Sequence, residues 1–301
     1  MITLLKSFLV ALIITPLLAL KLTLAVAEEV AAQDTLVLIA ENDSPLLSRL
    51  LSNLKDAAPE NIYKISTSRA PAQLADDDYA VLVGSKVPAH FEPQTHKKTI
   101  AVFVSEEQAS QLQVKTSIWV EPPLSRQLTL ANLVVPGDKR IGLLVNGEAD
   151  KNKQLEGLSN LQKQQLKVVD LAEHQNINQA LYHVLKNTRL LLGTYNQEIY
   201  SPANIKNILI TSYRQQKVLI GPSRAYLKAG SFATSYSNLN HISQRLLDII
   251  EQYKANKTWI SAGYNPYYRV LYNKQVARSL NLPVISNKQL EQNMAELMGG
   301  Q

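Results

Sequence analysis

The chain has 301 residues, 46% of them hydrophobic and 19% charged, with 13 Pro, 11 Gly and no Cys. This composition excludes a disordered chain and a multi-span membrane protein. The missing Cys excludes disulfides, thiolate metal sites, Cys nucleophiles and a lipid-modified cysteine. The formal charge is +6, but the basic residues are scattered, which fits a solvated surface and gives no footprint for nucleic acid.

Met1 to Lys6 carries one positive charge, and Phe8 to Leu20 is apolar except for Thr15 and Pro16. That run falls short of the roughly 20 residues a spanning helix needs. Ala25-Val26-Ala27 then gives the small-x-small pattern a signal peptidase cleaves. A signal peptide over 1–27 and a periplasmic location are expected; Lys21, between the run and the cleavage site, leaves an uncleaved anchor as the alternative. The remaining 274 residues carry 29 basic and 25 acidic side chains, a charge of +4.

Beyond the leader, short apolar runs alternate with stretches of helical spacing. Strands are expected at 35–40, 61–66, 79–83, 99–104, 117–120, 140–145, 166–171, 190–193, 218–220, 231–236 and 268–272. Runs such as Leu36-Val37-Leu38-Ile39 do not alternate apolar with polar, which suits parallel sheets covered on both faces. Pro122 opens a helix through Leu124, Leu128, Ala131 and Val135, stopped by Pro136-Gly137. Ser201 with Pro202 is expected to start a second. Ile242, Leu246, Ile249, Ile250 and Tyr253 mark a third, and Asn273 caps a fourth. Strand–helix repetition predicts an α/β fold. Glu121-Pro122-Pro123 divides it into two doubly wound parallel-sheet lobes of about five strands each, joined by a hinge.

Catalytic signatures are missing. His90, His96, His174, His183 and His241 form no close metal-ligand spacing, and the sequence holds no phosphate-binding loop, dinucleotide fingerprint or nucleophile elbow. Asp76-Asp77-Asp78 reads as a solvated turn. No enzyme activity, cofactor or metal is expected. Eleven of the 13 tyrosines lie from Tyr182 onward, and tyrosine combines a stacking face with a hydroxyl suited to ligand surfaces or to lobe packing.

Three stretches carry a likeness. Pro122-Pro123-Leu124-Ser125-Arg126-Gln127-Leu128 runs on through Val134-Val135-Pro136-Gly137-Asp138-Lys139-Arg140-Ile141-Gly142. Asn204 to Arg214 is followed by Val218-Leu219-Ile220-Gly221 and Lys228-Ala229-Gly230. Asn273 to Leu282 completes the set. Together they resemble the ABC-transporter substrate-binding protein family that includes tryptophan and tyrosine binders. The first lobe is more compact than that pattern, with Glu41-Asn42-Asp43-Ser44-Pro45 where the family has an Ala- and Gly-rich helix. The resemblance implies a periplasmic-binding-protein type I fold, with lobe 1 as 28–121 plus 237–258, lobe 2 as 122–236 plus 259–285, and 286–301 as a C-terminal tail.

In open α/β sheets, ligands bind beyond the carboxyl ends of the strands. That rule nominates Asn42, Asp43, Ser44 and Ser85 in lobe 1, and Asn146, Tyr195, Asn196, Ser223 and Tyr236 in lobe 2. Each residue also suits a local cap or turn. An amino-acid carboxylate would need a helix N-terminus, for which the segments opening at Ser44 and Ser223 are available. A neutral aromatic or polar solute could instead stack on Tyr195 or Tyr236. The resemblance implies a monomer that captures a small ligand and delivers it to an inner-membrane ABC permease. The alternative is an interaction protein of the same fold that reports to a membrane sensor.

Overall fold

The computed structural model describes residues 33–298, and the expected signal peptide lies outside them. The first sheet collects β1 (Thr35–Ile39), β2 (Ile62–Ser66), β3 (Tyr79–Val83), β4 (Thr99–Val104), β5 (Thr116–Trp119) and the two-residue β11 (Gly263–Tyr264). Its order is β11-β5-β4-β3-β1-β2, and every pairing is parallel. The second sheet collects β6 (Arg140–Val145), β7 (Leu166–Asp170), β8 (Thr188–Leu192), β9 (Val218–Ile220), β10 (Ala233–Tyr236) and β12 (Arg269–Tyr272). Its order is β12-β10-β9-β8-β6-β7, with β12 antiparallel to β10 and the rest parallel.

The continuous apolar runs behave as a doubly covered sheet requires. All five residues of β3 are buried, as are Leu36 to Ile39 and Ile141 to Val145. Each sheet has a hydrophobic cluster on either face. Helix α1 (Pro45–Ala57) puts Leu47, Leu50 and Leu54 against the first sheet. Helix α3 (Leu124–Val134) buries Leu128, Ala131 and Val134 against the second. Two lobes of doubly wound α/β structure are therefore present, each with six strands where about five are expected.

Three details depart from the sequence expectation. First, Gly263–Tyr264 pairs with Ile118 and Trp119 of β5, while Trp259 and Ile260 pack on the first core. Residues 259–264 thus belong with lobe 1, because two residues beside an apolar strand suffice for edge pairing although they carry no strand pattern. Second, 287–298 is not a tail. Helix Asn287–Met298 inserts Leu290 and Met294, both fully buried, into the second core. Third, the helix expected to start at Ser201 begins as Ile205–Arg214. The Ser201 carbonyl accepts from the N–H groups of Asn204 and Ile205, so Ser201 and Pro202 form a turn ahead of the helix. The Asn273 cap matches expectation: its side chain accepts from the N–H groups of Gln275 and Val276.

The chain crosses between the sheets after β5, after β10 and between β11 and β12. A buried cluster ties these crossings together. Arg126, at the start of α3, donates through Nη2 to the Asn265 carbonyl at 2.9 Å and stacks on Tyr268 at 4.1 Å. Asn265 donates in turn to the His241 carbonyl at 3.0 Å, in the first turn of the helix Leu239–Asn256 that covers the first sheet. Arg126 is 6% exposed, and burial pulls its guanidinium down to about 10 despite the neighbouring Tyr268.

Candidate functional site

Between the two lobes lies a cleft of about 1220 Å³, lined from both sheets and from the first crossing. It opens at the carboxyl ends of the strands, as the geometry of open α/β sheets predicts. The first lobe contributes Ser105 to Gln108 after β4 and Tyr264 at the end of β11. The crossing contributes Glu121 to Ser125. The second lobe contributes Asn146, Asp150, Lys153 and Gln154 after β6, Gly193 to Glu198 after β8, and Pro222 after β9.

Local chemistry sets each wall. In β4 the register with β5 slips between Val102 and Val104, and Phe103 between them has φ 59°. A left-handed phenylalanine is strained and marks a bulge. Pairing resumes at Val104 with Trp119, and the strand then ends ahead of Ser105, which caps the short helix α2 (Glu106–Gln111) in a reciprocal box with Gln108. In the second lobe, Gly147 has φ +85°, a position that favours glycine, and its N–H donates to Asp170 at 2.8 Å. Gly193 permits close approach of two loops, since a Cβ there would sit 3.0 Å from Pro222 and 3.1 Å from the Ile220 carbonyl.

Asp150 organises the second wall. Its carboxylate accepts from the Asn146 N–H at 2.8 Å, from Asn196 Nδ2 at 2.8 Å and from Gln154 Nε2 at 3.1 Å. Asn196 Oδ1 accepts from the N–H groups of Glu198 and Ile199, and Asn146 Nδ2 donates to Glu198. The Asn196 amide is thereby committed to holding the loop, and Tyr195 beside it lines the cleft.

Glu121 sits at the junction of the walls. Its Oε1 accepts from the Glu106 N–H at 2.7 Å, whereas its Oε2 is buried and, among the described residues, meets no donor. Burial raises the Glu121 carboxyl above its ordinary value, with the Glu106 N–H and the Lys153 charge pulling the other way. The Glu121 charge reaches both tyrosines of the cleft. Desolvation raises the Tyr195 hydroxyl and Glu121 adds to it. The Tyr264 hydroxyl is pushed up to about 12 by desolvation, then by Glu106, Glu121 and Glu156. Trp119 buttresses Tyr264 edge-on, 4.9 Å between centroids at 88°.

Of the nine residues nominated from sequence, Asn146, Tyr195 and Asn196 line this cleft and Asn42, Asp43, Ser44, Ser85, Ser223 and Tyr236 do not. The difference follows from topology. In the second sheet strand order reverses between β6 and β8, whose following loops carry those three residues. In the first sheet the reversal falls between β1 and β3, away from the β4, β5 and β11 edge that faces the cleft. Asn42, Asp43 and Ser85 are exposed, and Ser44 caps α1 by accepting from Leu47 N–H at 3.2 Å. Ser223 precedes the helix Arg224–Ala229, and Tyr236 pairs with Arg269 under the Arg224 guanidinium at 5.9 Å. Glu106, Glu121 and Tyr264 were not nominated; their one sequence signal is position just after a strand or a proline-rich crossing. Among the described residues no group of three His, Asp or Glu side chains converges to hold a metal ion. No helix there is long and apolar enough to cross a membrane.

No protein-family model matches the sequence, and no curated protein matches it. Solved structures do share its architecture. One is an ABC domain in complex with L-Trp from Streptococcus pneumonia, at 12% identity and TM-score 0.52, covering 86% of this chain and 98% of that one. Another is the ligand-free, open form of a substrate-binding protein with adhesive properties from Clostridium difficile. It has 12% identity and TM-score 0.61, covering 85% and 97%. A periplasmic ribose ABC transporter protein from Conexibacter woesei matches at 11% identity and TM-score 0.50, covering 87% and 98%. At such identities the likeness concerns architecture, and on that basis the chain has the two-lobed fold of the type I periplasmic binding proteins.

Proposed function

We propose that this protein is a periplasmic solute-binding protein, exported by its N-terminal segment, that captures a small molecule between its lobes without transforming it. The observation that carries the reading is the cleft itself: two sheets aim their strand ends into one cavity, with the crossing strands at its base. A ligand touching both walls makes more contacts when the lobes close, so binding shifts the population toward the closed state. The closed form then offers a composite surface to an inner-membrane ABC permease. Solved structures of like architecture supply precedent, among them an ABC domain holding L-Trp, a periplasmic ribose ABC transporter protein and a substrate-binding protein.

A thermal-shift screen of the purified protein against amino acids, sugars, purines and amines tests the proposal. A solute at 100 times its dissociation constant stabilises the folded state by about 2.7 kcal/mol, a clear rise in melting temperature. A screen with no responder, or chemical conversion of the responder, overturns it.

A further inference from the structure

We propose that the ligand of this cleft is a small organic cation carrying protonated amine groups; the inference rests on the cleft being the solute site. Six carboxylates line it, those of Glu106, Glu107, Glu121, Asp150, Glu156 and Glu198, against Lys153 as the one cation among the described lining residues. Lys153 is already engaged with Glu106 at 3.3 Å. The cavity is thus acidic in a chain whose overall charge is +6, and a cleft of one sign concentrates ligands of the other.

Two observations independent of that charge count point the same way. Glu121 lines the cleft, and its Oε2 is buried without a hydrogen-bond donor among the described residues, so no neighbouring donor offsets a negative charge at that oxygen. Tyr195 comes from one lobe and Tyr264 from the other, and Tyr264 retains 40% of its surface open while Trp119 holds its ring edge-on. An ammonium that reaches either ring face gains cation–π attraction, and one that reaches both favours closure. The carboxylates do not converge on a point that three of them would share with a metal ion. Spread along a cleft of about 1220 Å³, they suit charges separated along a flexible chain. A free amino acid would bring its own carboxylate among six others, which like-charge repulsion disfavours.

Isothermal titration of the purified protein with putrescine, spermidine, 1,4-butanediol and succinate separates charge from shape, because the four-carbon solutes share a length. L-tryptophan, D-ribose and magnesium chloride complete the set. Saturable binding of putrescine or spermidine is expected, at least tenfold tighter than butanediol, with no binding of succinate. Glu121→Gln should weaken the amine at least tenfold, and Glu156→Gln, an exposed loop change that spares folding, should weaken it several-fold. Binding of tryptophan, ribose, butanediol or succinate in preference to the amines, or of magnesium alone, overturns the cation inference while solute or ion capture stands. No binding by any probe, from a protein with intact circular dichroism, overturns both the inference and the capture reading.

Discussion

Lys153 Nζ, from the second lobe, lies 3.3 Å from Glu106 Oε2 of the first, so one ion pair spans the cleft. Both side chains keep about a third of their surface in solvent, 39% and 32%, and such pairs contribute about 0–1 kcal/mol. The pair therefore biases lobe spacing more than it stabilises either lobe. Lys153→Ala is expected to leave the unfolding free energy from urea melts within about 1 kcal/mol of the parent. It should also enlarge the ligand-free radius of gyration in small-angle scattering. A loss of several kcal/mol would show that the pair holds the fold.

Glu121 gives folding stability a dependence on pH. Burial raises its carboxyl in the folded protein, so between the ordinary value and the raised one the folded state binds more protons than the unfolded chain. Its contribution is complete below the ordinary value of 4.5 and is lost as pH rises through the folded-state value. Glu121→Gln, which removes the ionisation, should gain stability relative to the parent between about pH 4 and about pH 7. Urea melts of both proteins at the two pH values check this. A difference that is constant with pH contradicts the burial of Glu121.

Gln127 ties its helix to the ends of two strands, β9 and β10. Its Nε2 donates to the Gly221 carbonyl at 2.9 Å, and its Oε1 accepts from Ser235 Oγ at 2.9 Å and Ser235 N–H at 3.2 Å. Gln127→Leu keeps the volume and strands all three groups, at about 1–3 kcal/mol for each buried group left unmatched. A drop of several kcal/mol in unfolding free energy is expected, and a change below about 1 kcal/mol contradicts these bonds.

Met294 is fully buried in the second core. Met294→Ala should cost about 2–5 kcal/mol, measured by urea unfolding, and truncation before residue 287, which removes buried Leu290 as well, should cost more. Near-neutral outcomes would return 287–298 to the status of a tail.

Strand positions were widely legible because full burial on both faces forces continuous apolar runs, as at Tyr79–Val83 and Arg140–Val145. Local caps such as Asn273 were legible for a different reason: one side chain answers one set of N–H groups. Only a third of the residues nominated for the site line the cleft. Asn146, Tyr195 and Asn196 follow strands, which the sequence shows, whereas the reversal that brings their loops to the cleft is set by sheet order. The acidic wall was not legible, since its carboxylates come from positions spread over 106 to 198 and meet through sheet order alone. The Phe103 bulge and the Gly263–Tyr264 pairing leave no compositional trace, because each depends on the neighbouring strand β5. Leu290 and Met294 have helical spacing, but their helix follows the last expected repeat and lacks a following strand to mark it as core.

Capture between lobes is a statement about shape, and scattering reads shape directly. Small-angle X-ray scattering of the purified protein, with and without each solute that raises its melting temperature, should show the radius of gyration falling when that solute binds. The same solute should be recovered chemically intact. A stabilising solute that leaves the scattering curve unchanged would contradict closure around a ligand.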